Sequence, residues 1–164
     1  MTKLKSNMQK ITPFLWFDSQ AEEAMNFYVS IFKNSKAGKI TRYGEGSRGT
    51  SGSVMTVSFE LEGQQFMALN GGPHFKINPA ISFVVNCETQ VEVDKLWEKL
   101  SAGGQEMQCG WVTDKFGVTW QIVPAILEKL LHGSDSVKSQ RAMEAMLKMV
   151  KLDIQTLQNA YDGK

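Results

Sequence analysis

Cys109, in the run Cys109-Gly110-Trp111, is the side chain best suited to covalent chemistry. A thiolate would be its nucleophilic form, and lowering a thiol pKa takes a nearby cation or a helix N-terminus. Lys115 is the cation close in sequence, while the two histidines, His74 and His132, stand elsewhere. The other role open to such a cysteine is to pack as a small hydrophobe, the commoner fate of a buried thiol. Asp114 opens the turn Asp114-Lys115-Phe116-Gly117 and is placed to fix it through its side chain rather than to abstract a proton. Trp111 and Trp120 are core residues or stacking platforms. Glu22 and Glu23 read as a helix cap and a solvated helix face, so no acid–base pair stands out.

The elements that position these residues occur twice. The apolar run Ile11–Phe17 meets Asp18-Ser19, with Glu22 three residues after Ser19; Ala80–Cys87 meets Glu88-Thr89, with Glu92 three residues after Thr89. Each is a strand followed by a capping box, in which hydroxyl and carboxylate satisfy free N–H groups at a helix start. Ala21, Ala24, Met25, Tyr28, Ile31 and Phe32 form one helical stripe, and Val93, Leu96, Trp97 and Leu100 form the other. After the first helix, 34–38 releases the chain into a strand at 39–43. The stretch 44–52, with glycine at 44, 46, 49 and 52, reads as a mobile loop. Met55, Val57, Phe59 and Leu61 then alternate with polar residues as a half-buried strand, and Gly63 turns it into a partner, 64–70. The second copy continues with strands at 105–112 and 118–123.

This pattern predicts an α+β fold of two βαβββ modules, about 10–72 and 80–124, whose sheets combine into a curved, cup-like mixed sheet. The modules fill 1–133, and 134–164 is a C-terminal helical extension. Pro124 suits the first turn of a short helix ending at Gly133. A longer helix after Ser136 carries Met143, Met146, Leu147, Val150, Ile154 and Leu157 on one stripe. That stripe must be buried, either on its own sheet or against a partner subunit, and the second option predicts a homodimer.

Composition narrows the function. The 164 residues are 42% hydrophobic and 21% charged, with a net charge of +1 and scattered Lys and Arg, so no basic stripe points to nucleic acid. No apolar run approaches the roughly 20 residues of a membrane span. Met1 to Lys10 is polar, and Cys87 and Cys109 are too few for a zinc cluster or a disulfide framework. The chain reads as a reduced, cytoplasmic protein.

Several runs resemble a known family: Pro13-Phe-Leu-Trp-Phe-Asp18, Ala21-Glu-Glu-Ala24, Phe27-Tyr28, Ile31-Phe32, Phe66-Met-Ala-Leu-Asn-Gly-Gly72, Cys109-Gly-Trp111 and Asp114-Lys-Phe-Gly-Val-Thr-Trp-Gln-Ile-Val-Pro124. They are similar to the PhnB-like group, often labelled 3-demethylubiquinone-9 3-methyltransferase, within the vicinal oxygen chelate superfamily of glyoxalase I, bleomycin-resistance proteins and extradiol dioxygenases. The resemblance implies the glyoxalase/bleomycin-resistance fold. A typical S-adenosylmethionine-dependent methyltransferase needs a glycine-rich turn between strand and helix, whereas here a strand pattern follows Gly52. The superfamily's metal ligands would fall at Pro13, Ala68, Ala80 and Gln121. Proline and alanine have no donor and a lone amide is a poor ligand, so no metal and no cofactor are expected.

Strand alternation places Leu15 and Phe17, Phe66 and Asn70, Ser82, and Thr119 and Gln121 on the faces of those ligand positions. They would line a mainly apolar pocket with polar handles, or simply fill a core. The expected function is a metal-independent protein that binds an apolar or aromatic small molecule. The alternative is an enzyme on a quinone-like or other aromatic substrate, using Cys109 and the polar pocket residues.

Overall fold

Ala21, Ala24, Met25, Tyr28 and Ile31 recur at helical spacing and form the buried stripe of α1 (Ala21–Ile31). The structure, a computed structural model, describes residues 9–164, so the polar start through Met8 lies outside the described residues. The chain divides into two units, one through Ile77 and one from Asn78 to Lys164.

In the first unit α1 follows β1 (Phe14–Phe17) and precedes β2 (Ser35–Arg42), β3 (Val54–Leu61) and β4 (Gln64–Asn70). The sheet order is β1-β4-β3-β2, with β1 parallel to β4 and the other pairs antiparallel. Tyr28 meets Phe59 at 6.1 Å between ring centroids, and Phe59 stacks on Phe66 at 5.4 Å, so α1 covers this face. Register places Leu15 beside Ala68 and Phe17 beside Asn70 on that covered face. Phe14, Trp16, Met67 and Leu69 alternate onto the other one. β2 begins at Ser35, earlier than its polar composition suggests, because Ser35 pairs with Leu61 and Lys36 with Glu60. An Nζ to carboxylate contact of 3.0 Å joins the latter pair.

The first capping box does not form. The N-cap position is Gln20 and its side chain makes no capping bond; instead Ala21 N–H donates to Asn70 Oδ1 at 2.8 Å. The second box does form. Thr89 Oγ1 accepts the Glu92 N–H at 3.2 Å, and the Glu92 carboxylate returns to the Glu88 N–H at 2.9 Å.

The second unit repeats the connectivity with β5 (Ser82–Cys87), α2 (Gln90–Ser101), β6 (Gln105–Glu106), β7 (Trp111–Thr113) and β8 (Thr119–Pro124), in sheet order β5-β8-β7-β6. Two βαβββ modules with open mixed sheets are therefore present. The strand expected over 105–112 is interrupted, since Cys109 and Gly110 take positive φ of 60° and 79°.

Pro124 ends β8 rather than starting a helix, and α3 spans Ile126–Leu131. The single long C-terminal helix is also corrected: it is two, α4 (Ser136–Met146) and α5 (Ile154–Asp162). Asp153 caps α5 by accepting the Thr156 N–H at 2.7 Å. Between them the backbone bonds elsewhere in its own unit. Met149 and Val150 carbonyls accept the N–H groups of Cys109 and Gly110, both at 2.8 Å. Gln90, at the start of α2, donates to the Leu152 carbonyl at 3.1 Å and accepts the Ile154 N–H at 2.8 Å. Leu152 and Leu157 join Leu127, Leu130 and Ala142 in one core cluster, with Met146 packed against it. Of the predicted stripe Leu157 is buried in this cluster, Met143, Met146 and Ile154 are half-buried, and Leu147 and Val150 stay exposed. Among the described residues no helix is long and apolar enough to cross a membrane.

Candidate ligand site

The ends of the parallel strands β1 and β4, the start of β3, the beginning of α1 and the 44–52 loop enclose a cavity of about 890 Å³ in the first unit. Its apolar lining includes Trp16, Leu69 and Met55, with Tyr43 alongside; Asp18, Glu22, Arg48 and His74 supply charge or polarity at its edges. Trp16 and Leu69 are partners in register on the face away from α1.

Local bonds hold the walls. Trp16 Nε1 donates to the Gly72 carbonyl at 2.9 Å, and Phe75 meets the indole edge-on at 5.0 Å. Gly71 lies so close that a Cβ there would stand 2.2 Å from the Trp16 ring, so only glycine lets the indole lie flat against this backbone. Tyr43 O–H donates to the Asn70 carbonyl at 2.5 Å, and Gly49 of the loop rests on the Tyr43 ring. The loop base is closed by Tyr43 N–H to Ser53 O at 2.9 Å and Gly52 N–H to Tyr43 O at 2.8 Å. It leads into β3, so no helix N-terminus follows its glycines.

The expected site residues fall in different places. Phe17 and Phe66 are 3% and 5% exposed beneath α1, and Leu15 shares their face, so these three pack the first unit's core instead of lining the cavity. Asn70 does reach the cavity wall, but its amide is already engaged: Oδ1 accepts from Ala21 and Nδ2 donates to the Val54 carbonyl at 3.1 Å. In the second unit Ser82 and Gln121 do come together, Gln121 Nε2 donating to Ser82 Oγ at 2.9 Å. Thr119 is fully buried, its hydroxyl 3.1 Å from that of Thr113.

Cys109 is half-buried with its Sγ 3.7 Å from the Met146 carbonyl, and Lys115 holds its ammonium 4.8 Å above the Phe116 ring. Cys87 is buried, and desolvation, reinforced by Glu92 and Glu88, pushes its thiol up to about 12. Asp114 fixes its turn, as expected, accepting the N–H groups of Phe116 and Val118 at 2.8 and 3.0 Å and the Trp120 indole at 2.8 Å. His132 closes α3, and His74 stands exposed at the cavity rim.

The donor set does not fit a divalent metal. Ala68 lies on the covered face, and on the other face Phe14, Trp16, Met67 and Leu69 carry no oxygen or imidazole donor, while Gln65 offers only an amide that bonds to the Glu60 carboxylate. Among the described residues no three of His, Cys, Asp and Glu come together as a metal site.

The model of the 3-demethylubiquinone-9 3-methyltransferase family matches residues 9–123. The chain belongs to this PhnB-like family. The family in turn places it in the vicinal oxygen chelate superfamily, whose duplicated βαβββ module it carries. A PhnB protein from Bacillus cereus, described under the same methyltransferase name, is 41% identical, with a TM-score of 0.67, covering 71% of this chain and all of its own. Protein PA1353 from Pseudomonas aeruginosa shares the fold at 21% identity and a TM-score of 0.58, covering 69% of this chain and 95% of its own. The fosfomycin resistance protein FosX from Listeria monocytogenes, complexed with Mn(II) and sulfate, shares it at 14% and 0.51, covering 81% and 99%. No curated protein matches the sequence significantly. The family match ends before α3, so α3 to α5 lie beyond the part that defines the PhnB-like group.

The cavity residues that sequence reasoning missed are Trp16, Leu69, Met55, Tyr43 and Arg48. Trp16 and Leu69 lie one register step from the face that alternation suggests, and Arg48 lies in the 44–52 stretch, whose glycines read as a mobile loop.

Proposed function

We propose that this PhnB-like chain is a metal-independent small-molecule-binding protein that takes an apolar or aromatic ligand in the first unit's cavity. The supporting observation is that cavity itself, about 890 Å³ with Trp16, Leu69 and Met55 in its lining. Its size and mixed lining match those of small-molecule sites, which are mostly apolar with a few placed polar groups. Metal independence rests on the donor set described above. The methyltransferase name of the family has less support in the geometry, because the 44–52 loop runs into a strand and Cys109 has its thiol beside a backbone carbonyl.

Calorimetric titration of 2-naphthol in the presence of EDTA tests the reading. Binding is expected, weakened about tenfold or more by Trp16→Ala and unchanged by Ser82→Ala. Binding that needs an added divalent ion, or that Trp16→Ala leaves intact in a folded variant, overturns it. The proposal includes a homodimer that buries the exposed Leu147 and Val150. A monomer mass by light scattering at micromolar concentration overturns that part.

A further inference from the structure

We infer that the ligand of this cavity is zwitterionic: an apolar or aromatic body whose cationic group meets Asp18 and Glu22 and whose anionic group meets Arg48. This deepens the binding reading above and rests on it. Asp18, Glu22, Arg48 and His74 all line the one cavity, and among the described residues none of their side chains has a hydrogen-bond or ion-pair partner. Elsewhere on the surface, charges of opposite sign do find each other: Lys36 with Glu60, Lys151 with Asp94, Lys164 with Asp162. Both signs are therefore offered to whatever enters the cavity.

Topology keeps the signs apart. Asp18 follows β1 and Glu22 lies in the first turn of α1, where a carboxylate is favoured by the helix dipole. Arg48 sits in the loop between β2 and β3, on the other side of β4 in the order β1-β4-β3-β2. Strand spacing of about 4.8 Å puts these two walls about 10–14 Å apart, a gap that a long arginine side chain narrows to the span of one disubstituted aromatic ring. The loop that carries Arg48 is held by the packing of Gly49 on Tyr43, so the cation is presented from a defined wall. Leu69 belongs to β4, the strand between these two walls, and Trp16 is its register partner on β1.

A matched series tests this by calorimetry in low salt: 4-(aminomethyl)benzoate, benzylamine, benzoate and benzyl alcohol. The zwitterion is expected to bind about tenfold tighter than either singly charged compound, an advantage erased by about 0.5 M NaCl. Arg48→Gln should lower the zwitterion to the level at which the variant binds benzylamine. The double change Asp18→Asn with Glu22→Gln should lower it to the level of benzoate. Equal binding of benzyl alcohol and the zwitterion overturns the inference, as does silence of all four while 2-naphthol still binds. If 2-naphthol fails as well, the cavity reading itself falls.

Discussion

The side-chain carbonyl of Asn70, the last residue of β4, accepts the N–H of Ala21, the first residue of α1, across 49 positions of sequence at 2.8 Å. One amide thereby joins the end of a strand to the start of the helix that covers it. Its other half holds the Val54 carbonyl where β3 begins. Asn70→Ala removes both bonds and is expected to destabilise the protein by about 2 kcal/mol, read from urea denaturation. Asn70→Asp keeps the acceptor and loses the donor, so it should fall between; a neutral Asn70→Ala would show that the cap is idle.

The two capping boxes should respond differently although they look alike in sequence. Thr89→Ala is expected to cost about 1 kcal/mol, because its hydroxyl serves the Glu92 N–H. Ser19→Ala should stay within about 0.5 kcal/mol, since its side chain does not cap α1. Equal losses in thermal melts would refute the assignment.

Asp114→Ala leaves three donors of a buried turn without their acceptor: two backbone N–H groups and the Trp120 indole. A loss of about 3 kcal/mol or more is expected, together with a shift in tryptophan emission. Asp114→Asn retains one acceptor oxygen and should lose less.

Acid should loosen the C-terminal segment first. The Lys151 ammonium, then Gln90, holds the Asp94 carboxyl below its ordinary value of 3.8, and the Thr156 hydroxyl and N–H do the same for Asp153. A depressed carboxylate contributes stability that is complete above its unfolded pKa and is lost as pH falls through the folded one. Amide exchange at Cys109 and Gly110 should therefore accelerate as pH drops below about 4, after correction for intrinsic rates. Asp153→Asn should remove part of that dependence, and a flat profile in the parent would contradict it.

The thiols should separate cleanly in a native-state titration with an aromatic disulfide at pH 8. Cys87, fully buried and pushed up to about 12, is expected to stay silent until denaturant is added. Only half-buried Cys109 should then react with the folded protein. Two equally fast thiols before unfolding would contradict this burial.

Strand and helix positions were largely legible in the sequence because alternation and helical stripes survive folding. The facing of the first sheet was not. Phe14, Trp16, Met67 and Leu69 are as apolar as Leu15, Phe17, Phe66 and Ala68, so alternation alone cannot say which set the helix covers. The deciding contact, Ala21 to Asn70, is long-range. In the second sheet Gln121 and Ser82 are polar against an apolar Phe83 and Trp120, and there the facing was readable. The C-terminal break was hidden for a related reason. Residues 147–153 keep a helical period, yet Asp153 starts a new helix and Cys109, Gly110 and Gln90 take the intervening backbone groups.

The hydrogen bonds from Cys109 and Gly110 to Met149 and Val150 set an order of events during synthesis. Every strand pairing of the first sheet lies before residue 71, so that sheet can form while much of the chain is still being translated. The second sheet's own pairings end at Pro124, but two backbone donors before β7 stay unanswered until about forty residues beyond Cys109 have emerged. Between those moments the nascent chain presents one finished module and one copy whose β7 approach still lacks its backbone partners.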